Sequence, residues 1–166
     1  MNSDVRWLTA QEERVWRRWL TLTARLSAML QKELHDDAGL SVSDYEVLVH
    51  LTDTLEGRVR VTDLARLLQW ERSRVSHHVT RMESRHLVQR VECAEDGRGA
   101  FVVITAPGRA AIERAAPGHV NAVRRLVFDA LSPEEVDAFE MVIDKALAQL
   151  DNHAAGLPSI AESKLT

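Results

Sequence analysis

The fold is decided by the stretch from Val61 to Thr105, which reads VTDLARLLQWERSRVSHHVTRMESRHLVQRVECAEDGRGAFVVIT. Its first half predicts a short helix at Thr62–Leu68, a turn at Gln69–Glu71 and a second helix at about Arg72–Arg85. Two short helices joined by a tight turn are typical of proteins that place the second helix in the major groove of DNA. This half of the stretch therefore indicates a helix-turn-helix.

The second half of the stretch changes from helical to strand patterning. Leu87–Cys93 and Ala100–Thr105 predict two strands, and the segment 94–99, which contains two glycines, joins them as a hairpin. A two-stranded hairpin after the second helix is a wing. Residues 57–105 are therefore predicted to form a winged helix-turn-helix DNA-binding lobe.

Long helices are predicted on both sides of this lobe. Capping boxes at Thr9…Glu12, Ser43…Glu46 and Ser132…Glu135 mark three helix starts. The first helix is expected to run to about Asp36 and the second from about 44 to 54. Between the second and third helices the pattern allows a short strand but does not require one. Residues 106–130 predict a further helix, bent or interrupted at Pro117-Gly118.

The predicted fold class is therefore mostly α with a small β-wing, in which long N- and C-terminal dimerisation helices flank the winged helix-turn-helix core. We expect a single domain over residues 1–166. Within it, 9–36 and 106–151 are the dimerisation helices, and 152–166 is a frayed tail without helical periodicity.

The charge of the chain is unevenly distributed. The net charge is −4, but residues 58–98 hold nine arginines and six acidic residues, so this segment is +3 and the remainder −7. A basic segment in an acidic protein is expected when one surface faces DNA. All of its cations are arginines, which suit bidentate contacts with phosphate or guanine.

Composition excludes several classes of protein. Hydrophobic residues make up 45% of the chain and charged residues 28%, as in ordinary globular proteins. No apolar run approaches the roughly 18 residues of a membrane helix, and no signal-type segment follows the N-terminus, so we expect a cytoplasmic protein without membrane contact. The single cysteine, Cys93, excludes an internal disulfide, and no residue pattern predicts a metal or a cofactor.

The second helix of the lobe carries the candidate DNA contacts. Val75, Val79 and Met82 lie at i, i+4 and i+7 and predict its buried face. The outer surface presents hydroxyls, imidazoles and guanidiniums, which are the groups that contact bases and phosphates. The predicted DNA-binding residues are Arg72, Ser73, Arg74, Ser76, His77, His78 and Arg81.

The hairpin adds one further candidate. Arg98 lies at the predicted wing tip between two glycines, where a single guanidinium can enter a narrow minor groove. Asp96 is expected to hold that side chain extended. Taken alone, the helix surface also fits an ordinary solvated amphipathic helix, and the hairpin fits an ordinary turn. Their order along the chain favours DNA binding.

A resemblance to the MarR family of bacterial transcription regulators is carried by several motifs. They are Thr62-Asp63-Leu64-Ala65-Arg66-Leu67-Leu68, Arg72-Ser73-Arg74-Val75-Ser76, Arg81-Met82-Glu83, Asp96-Gly97-Arg98 and Ile104-Thr105-Ala106-Pro107-Gly108. The resemblance covers roughly residues 10 to 151. It implies an obligate homodimer that binds a pseudo-palindromic operator as a repressor and is released by small ligands. It also implies that Arg72–Arg85 is the recognition helix and Arg98 the wing-tip contact.

Dimerisation is supported by apolar stripes near the C-terminus. Val136, Phe139, Ile143, Leu147 and Leu150 approximate a coiled-coil seam, and Val120, Val123, Leu126 and Val127 lie beside it in sequence. Burial of these residues within one chain remains the alternative.

The resemblance also implies an effector pocket for a small aromatic ligand. On the first two helices its candidates are Trp16, Trp19, Tyr45 and His50, and core packing of these residues remains the alternative. Cys93 is interpreted as a small buried hydrophobic residue rather than a redox switch.

Two other classes of function are the alternatives to a DNA-binding regulator. No nucleophile elbow, phosphate-binding loop or zinc-protease spacing is present, so we do not expect an enzyme. The second alternative is a DNA-free effector-binding or scaffolding dimer of the same fold. The retention of Arg74, Arg81 and Arg98 argues against it.

Overall fold

The computed structural model of the chain describes residues 5–92 and 99–156. The helices are α1 (Ala10–Ala38), α2 (Val42–Thr52), α3 (Val61–Leu67), α4 (Arg72–Ser84), α5 (Ala106–Val123) and α6 (Pro133–Gly156), with a π-helical segment at Arg124–Phe128. The strands are β1 (Arg58–Arg60), β2 (Val88–Glu92) and β3 (Ala100–Ile104). The fold is mostly α with a small antiparallel sheet, as predicted.

The sheet has the strand order β1-β3-β2, and both pairings are antiparallel. Val59 pairs with Val102, and Val102 pairs with Arg90 on the other side. Because side chains alternate along a strand, Val59, Val102 and Val88 turn to the same face, and all three are buried. The short strand that the sequence allows between the second and third helices is thus present as β1, and it completes the sheet at the base of the wing.

One hydrophobic core joins the helix-turn-helix to its flanking helices. It collects the C-terminal part of α1, the buried faces of α2, α3 and α4, the inner face of the sheet and the first half of α5. Its fully buried members include Leu34, Leu40, Leu48, Leu51, Leu64, Val75, Val79, Met82, Val102 and Ala115. The predicted buried face of α4, Val75, Val79 and Met82, is therefore confirmed, and it sets which side of that helix faces outward.

The helix starts test the predicted capping boxes. Thr9 and Glu12 cap α1 reciprocally, and Ser132 and Glu135 form the same reciprocal pair at the start of α6. The box predicted at Ser43…Glu46 is wrong. The cap of α2 is Ser41, whose hydroxyl accepts the N–H of Asp44 at 3.0 Å, while the Asp44 carboxylate accepts the N–H of Ser41 at 2.8 Å.

The junction between the sheet and α5 depends on a close backbone approach. The Thr105 hydroxyl lies 3.0 Å from the carbonyl oxygen of Leu87 and accepts the N–H of Gly108 at 3.1 Å. A Cβ on Gly108 would lie 2.0 Å from that same carbonyl oxygen. Glycine is thus the residue that lets the first turn of α5 sit against the end of the α4–β2 connection.

Of the predicted bend or interruption at Pro117-Gly118, the interruption is wrong, because α5 runs through these residues to Val123, and the bend stays a prediction. Proline lacks the N–H that would donate to the carbonyl of Glu113 one turn earlier. Glu113 lies on the exposed face, where water can donate a hydrogen bond to that carbonyl instead. Helical regularity changes later, in the π-helical segment.

The chain divides into two compact units, which meet between Val123 and Arg124. The first holds the winged helix and the core. In the second, α6 continues to Gly156, past the predicted boundary at 151, and residues 157–166 lie outside the described part. Among the helices described, none combines the length and the hydrophobicity that a membrane crossing requires.

Candidate DNA-binding surface

The outer face of α4 is open to solvent. Five of the predicted contact residues, Arg72, Ser73, Arg74, His77 and Arg81, are exposed, and Ser76 is half-buried. The buried face packs on the core, so the opposite face is turned to solvent. A helix of 13 residues presented in this way has the dimensions that fit a major groove.

Seven of the nine arginines in residues 58–98 fall into two groups. Arg66 pairs with Asp63, Arg58 with Glu56, Arg85 with Asp44 and Arg90 with Glu83. Arg72, Arg74 and Arg81, which lie on the exposed side of α4, have no carboxylate partner in the described part of the chain. Positive charge is therefore left uncompensated on this helix, where an anionic partner can pair with it.

Arg74 is held by an aromatic ring instead of an acid. Its guanidinium carbon lies 4.0 Å from the centroid of the Trp70 ring, which is a cation–π geometry. Trp70 belongs to the turn between α3 and α4 and is half-buried against the core. No sequence pattern gives Trp70 a role, because it lies in the turn before α4, where helical spacing does not predict its contact with Arg74.

The structure corrects the assignment of His78. The sequence places it among the DNA contacts, but its side chain is only 8% exposed and faces inward. Its Nε2 lies 3.1 Å from Oδ1 of Asp44, its Nδ1 lies 3.1 Å from Nη2 of Arg81, and its ring meets the Trp70 ring edge-on. His78 therefore lies beneath the exposed face of α4 and does not reach its surface.

Asp44 connects α2 with the end of α4. Its carboxylate, only 3% exposed, lies 2.7 Å from Nη1 of Arg85, while Nη2 of Arg85 donates to the carbonyl of Gly39 at 2.6 Å. Burial alone would raise the pKa of Asp44, but the contacts from His78, Ser41 and Arg85 outweigh it and hold that pKa well below its usual range. Asp44 is thus ionised and anchors α4 to the α1–α2 junction.

A second set of contacts ties the wing to α4. The carboxylate of Glu83 accepts the backbone N–H of Arg90 at 2.7 Å, and the Arg90 guanidinium donates to the carbonyl oxygen of Ser76. Ser76 is thereby partly engaged within the protein. These contacts couple β2 to the recognition helix, and we call them the wing clamp.

Three predicted residues of the wing, Cys93, Asp96 and Arg98, lie outside the described residues. The strands that lead to the tip are described. They end at Glu92 on one side and begin at Ala100 on the other, close to the predicted boundaries.

The four candidate effector residues are not brought together by any hydrogen bond, ion pair or ring contact between described residues. Trp16 and Trp19 lie exposed on α1, and His50 is half-buried on α2. Tyr45 packs against His119 of α5, with ring centroids 4.5 Å apart and ring planes tilted by 42°. No sequence pattern points to His119. Its Nδ1 is buried without a hydrogen-bond partner among the described residues, and burial lowers its pKa although Glu33 acts in the opposite direction.

Comparison with known proteins agrees with this geometry. The sequence model of the MarR family matches residues 38–99. Sco3205, a MarR family transcriptional regulator from Streptomyces coelicolor solved in complex with DNA, is 38% identical and superposes with a TM-score of 0.85, covering 95% of each chain. AbsC, a MarR family transcriptional regulator from the same organism, is 40% identical with a TM-score of 0.82, covering 92% of this chain and 100% of its own.

A more distant structure shares the fold. BpsR of Bordetella bronchiseptica, described with a mechanism by which 6-hydroxynicotinic acid regulates its DNA binding, is 23% identical with a TM-score of 0.70, covering 86% of this chain and 96% of its own. Among curated protein sequences no match is found.

The recognition helix is exposed, its arginine charge has no acidic partner in the described part of the chain, and a β-wing follows it. These features define a winged helix-turn-helix protein of the DNA-binding class. The chain belongs to the MarR family of transcriptional regulators. The family members it matches are regulators and not enzymes, in agreement with the sequence analysis.

Proposed function

We propose that the chain is a homodimeric repressor that binds a pseudo-palindromic operator in double-stranded DNA and is released by a small aromatic ligand. The observation that carries DNA binding is the uncompensated charge of Arg72, Arg74 and Arg81 on the exposed face of α4. As a transcriptional regulator, it is proposed to act in the cytoplasm.

Different roles follow from the positions of the arginines. Arg72 begins α4, where a guanidinium suits a phosphate. Arg81 lies about two and a half turns further along the helix, where it can pair bidentately with a guanine. Ser73, Ser76 and His77 supply further polar contacts. Arg98, from the sequence alone, is proposed to enter the minor groove, with Asp96 supporting it.

A homodimer is supported by the first turns of α1. Every described residue from Val5 to Arg25 is exposed in the single chain, including Val15, Trp16, Trp19, Leu20 and Leu22. A helix without tertiary contacts is marginally stable in water, and an apolar surface of this kind marks an interface. In the second unit, α6 similarly has no buried side chain in its described part, and Leu147 is 52% exposed. A second copy of the chain is the proposed occupant of these faces.

Effector release is supported by the contact between Tyr45 and His119. Nδ1 of His119 has no hydrogen-bond partner among the residues described, so beside the phenol ring it offers an aromatic contact and one hydrogen bond to a small aromatic acid. BpsR provides a chemical precedent in 6-hydroxynicotinic acid. We propose this site in addition to Trp16, Trp19 and His50. The expected result is that 6-hydroxynicotinate raises the melting temperature of the wild type and not of His119→Ala.

DNA binding is tested by selecting duplexes from a random-sequence pool with the wild-type protein. The selected duplex and a scrambled duplex of equal composition are then compared at two salt concentrations. Arg72→Ala should weaken both complexes alike and lower the salt slope by about one. Arg81→Ala should weaken the selected duplex by about 1–3 kcal/mol and reduce discrimination, and Arg98→Ala should weaken binding by loss of the minor-groove contact.

Arg17→Ala is the control, because Arg17 is exposed on α1 and already paired with Glu13. It should bind like the wild type. If the pool yields no enriched duplex, the protein is a DNA-free effector-binding or scaffolding dimer and the proposal fails. If a duplex is enriched but the α4 variants bind it normally, the residue assignments fail.

A further inference from the structure

A buried histidine contacts an exposed arginine from below the DNA-binding surface. Nη2 of Arg81 lies 3.1 Å from Nδ1 of His78, one helical turn away on α4. A guanidinium has donors only, so Nδ1 must accept this hydrogen bond and therefore carries no proton. In the neutral ring the proton then resides on Nε2.

Asp44 faces that second nitrogen. Its Oδ1 lies 3.1 Å from Nε2 of His78, and the carboxylate is fixed by Ser41 and Arg85. A carboxylate accepts and does not donate when ionised, so it favours the tautomer with the proton on Nε2. Asp44, His78 and Arg81 therefore form a chain of contacts from the interior to the exposed face. Nδ1 of His78 accepts from Arg81, whereas Nε2 makes no hydrogen bond of regular geometry with any described residue, so its contact with Asp44 is electrostatic.

This arrangement differs from an ordinary surface ion pair. When a carboxylate holds an arginine directly, it orders the side chain and also neutralises it. At Arg81 the group in contact is a neutral imidazole, and the carboxylate lies on the far side of the ring. The guanidinium is thus ordered while its positive charge remains directed to solvent, as for Arg74 on Trp70.

We propose that Asp44 and His78 are positioning residues for DNA recognition: they set the tautomer of His78 so that it orders Arg81 before DNA arrives. The inference rests on the proposed role of Arg81 in binding a base. Immobilising a side chain with many rotamers disfavours association by an amount equivalent to about two- to tenfold in affinity, and pre-ordering removes that loss.

The test is a double-mutant cycle on the duplex selected by the wild-type protein, with the full chain throughout. His78→Leu should weaken binding about fivefold when Arg81 is present and should have no further effect in an Arg81→Ala background. His78→Gln keeps an N–H for Asp44 and an oxygen for Arg81, so it should recover most of the lost affinity. Val79→Ala is the control, since it destabilises the same helix without touching Arg81.

Each outcome has a separate meaning. An equal loss of affinity from His78→Leu in both backgrounds, or a loss of affinity of the same size in Val79→Ala, overturns the positioning role and leaves the DNA-binding proposal intact. If Arg81→Ala itself binds normally, the assignment of Arg81 fails and the inference fails with it.

A second readout does not involve DNA. Long-range proton–nitrogen NMR correlations of the wild-type protein should show His78 protonated on Nε2 and not on Nδ1. In Asp44→Asn the population of the opposite tautomer should rise. A ring protonated on Nδ1 in the wild type would overturn the proposal.

Discussion

Nε2 of His78 lies 3.1 Å from Oδ1 of Asp44, and this contact joins the recognition helix to α2. The histidine comes from a helix that is polar in sequence, and the aspartate from a capping box. Neither pattern predicts the other residue. Their meeting makes the N-terminus of α2 part of the support for the DNA-binding face.

Asp44→Asn should destabilise the fold by about 3 kcal/mol at neutral pH. It removes a buried charge that faces His78 and Arg85, and the lower end of the usual range applies because Arg85 is 43% exposed. The effect should depend on pH. Since the pKa of Asp44 is depressed in the fold, its contribution is complete above the ordinary carboxyl pKa of about 3.9 and is lost as the pH falls through the folded pKa.

Urea unfolding of both proteins from neutral pH downward checks this. The difference in unfolding free energy should stay constant above about pH 5 and narrow below about pH 4. A difference that is independent of pH throughout the acid range would contradict the ionised state of Asp44.

Arg72→Ala and Arg74→Ala should separate stability from DNA binding. Arg74 stacks on Trp70, so its loss should lower the unfolding free energy by about 0.5–1 kcal/mol. Arg72 has no partner in the described residues and places positive charge at a helix N-terminus, so its loss should be neutral or slightly stabilising. Both variants should bind DNA more weakly. Chemical denaturation and titration of the selected duplex measure the two effects, and equal stabilities would argue against the Trp70 contact.

Trp19→Glu should dissociate the proposed homodimer. Trp19 is 43% exposed in the single chain, and a charge in an apolar interface should raise the dimer dissociation constant by about thirtyfold or more. Thr21→Glu is the matched control, because Thr21 lies on the opposite side of α1 from the apolar residues. Sedimentation equilibrium of both variants gives the comparison. Dissociation by both, or by neither, would remove α1 from the interface.

Gly108→Ala should destabilise the fold by about 1–3 kcal/mol, because the new Cβ meets the backbone carbonyl of Leu87, which cannot move alone. Gly118→Ala is the comparison. There the new Cβ meets the end of the Asp37 side chain, which can rotate away, and alanine is favoured over glycine in a helix. Thermal unfolding should therefore place Gly118→Ala near the wild type. A larger loss at Gly118 than at Gly108 would be inconsistent with the described packing.

Much of the fold could be predicted because its patterns are local. The face of Val75, Val79 and Met82 has helical spacing, and the run from Phe101 to Ile104 favours a strand. The start of α2 was misplaced because Ser41…Asp44 and Ser43…Glu46 are overlapping capping patterns. The first is used, and its aspartate also meets His78 and Arg85. The choice depends on tertiary partners that a local pattern does not contain.

The candidate site was predicted in outline and not in its internal supports. Arginines on a helix with a buried apolar face are visible in sequence, but whether each is paired with an acid is not. His78 lies at the edge of the buried arc of α4, where periodicity alone leaves its exposure open. The roles of Arg90 and His119 come from contacts between different elements, which a local pattern does not contain. Trp70 lies close to Arg74 in sequence, but it belongs to the turn before α4, where helical spacing does not predict their contact.

The wing clamp has a consequence for operator architecture. Glu83 and Arg90 bind β2 to the recognition helix, so these two elements should move together as one rigid body. On the proposed function, the offset between the major-groove and minor-groove contacts of one half-site is then a fixed length. A base pair inserted inside a half-site would therefore prevent the recognition helix and the wing from contacting their bases together. A change in the spacing between the two half-sites would instead be accommodated by movement of each subunit as a whole.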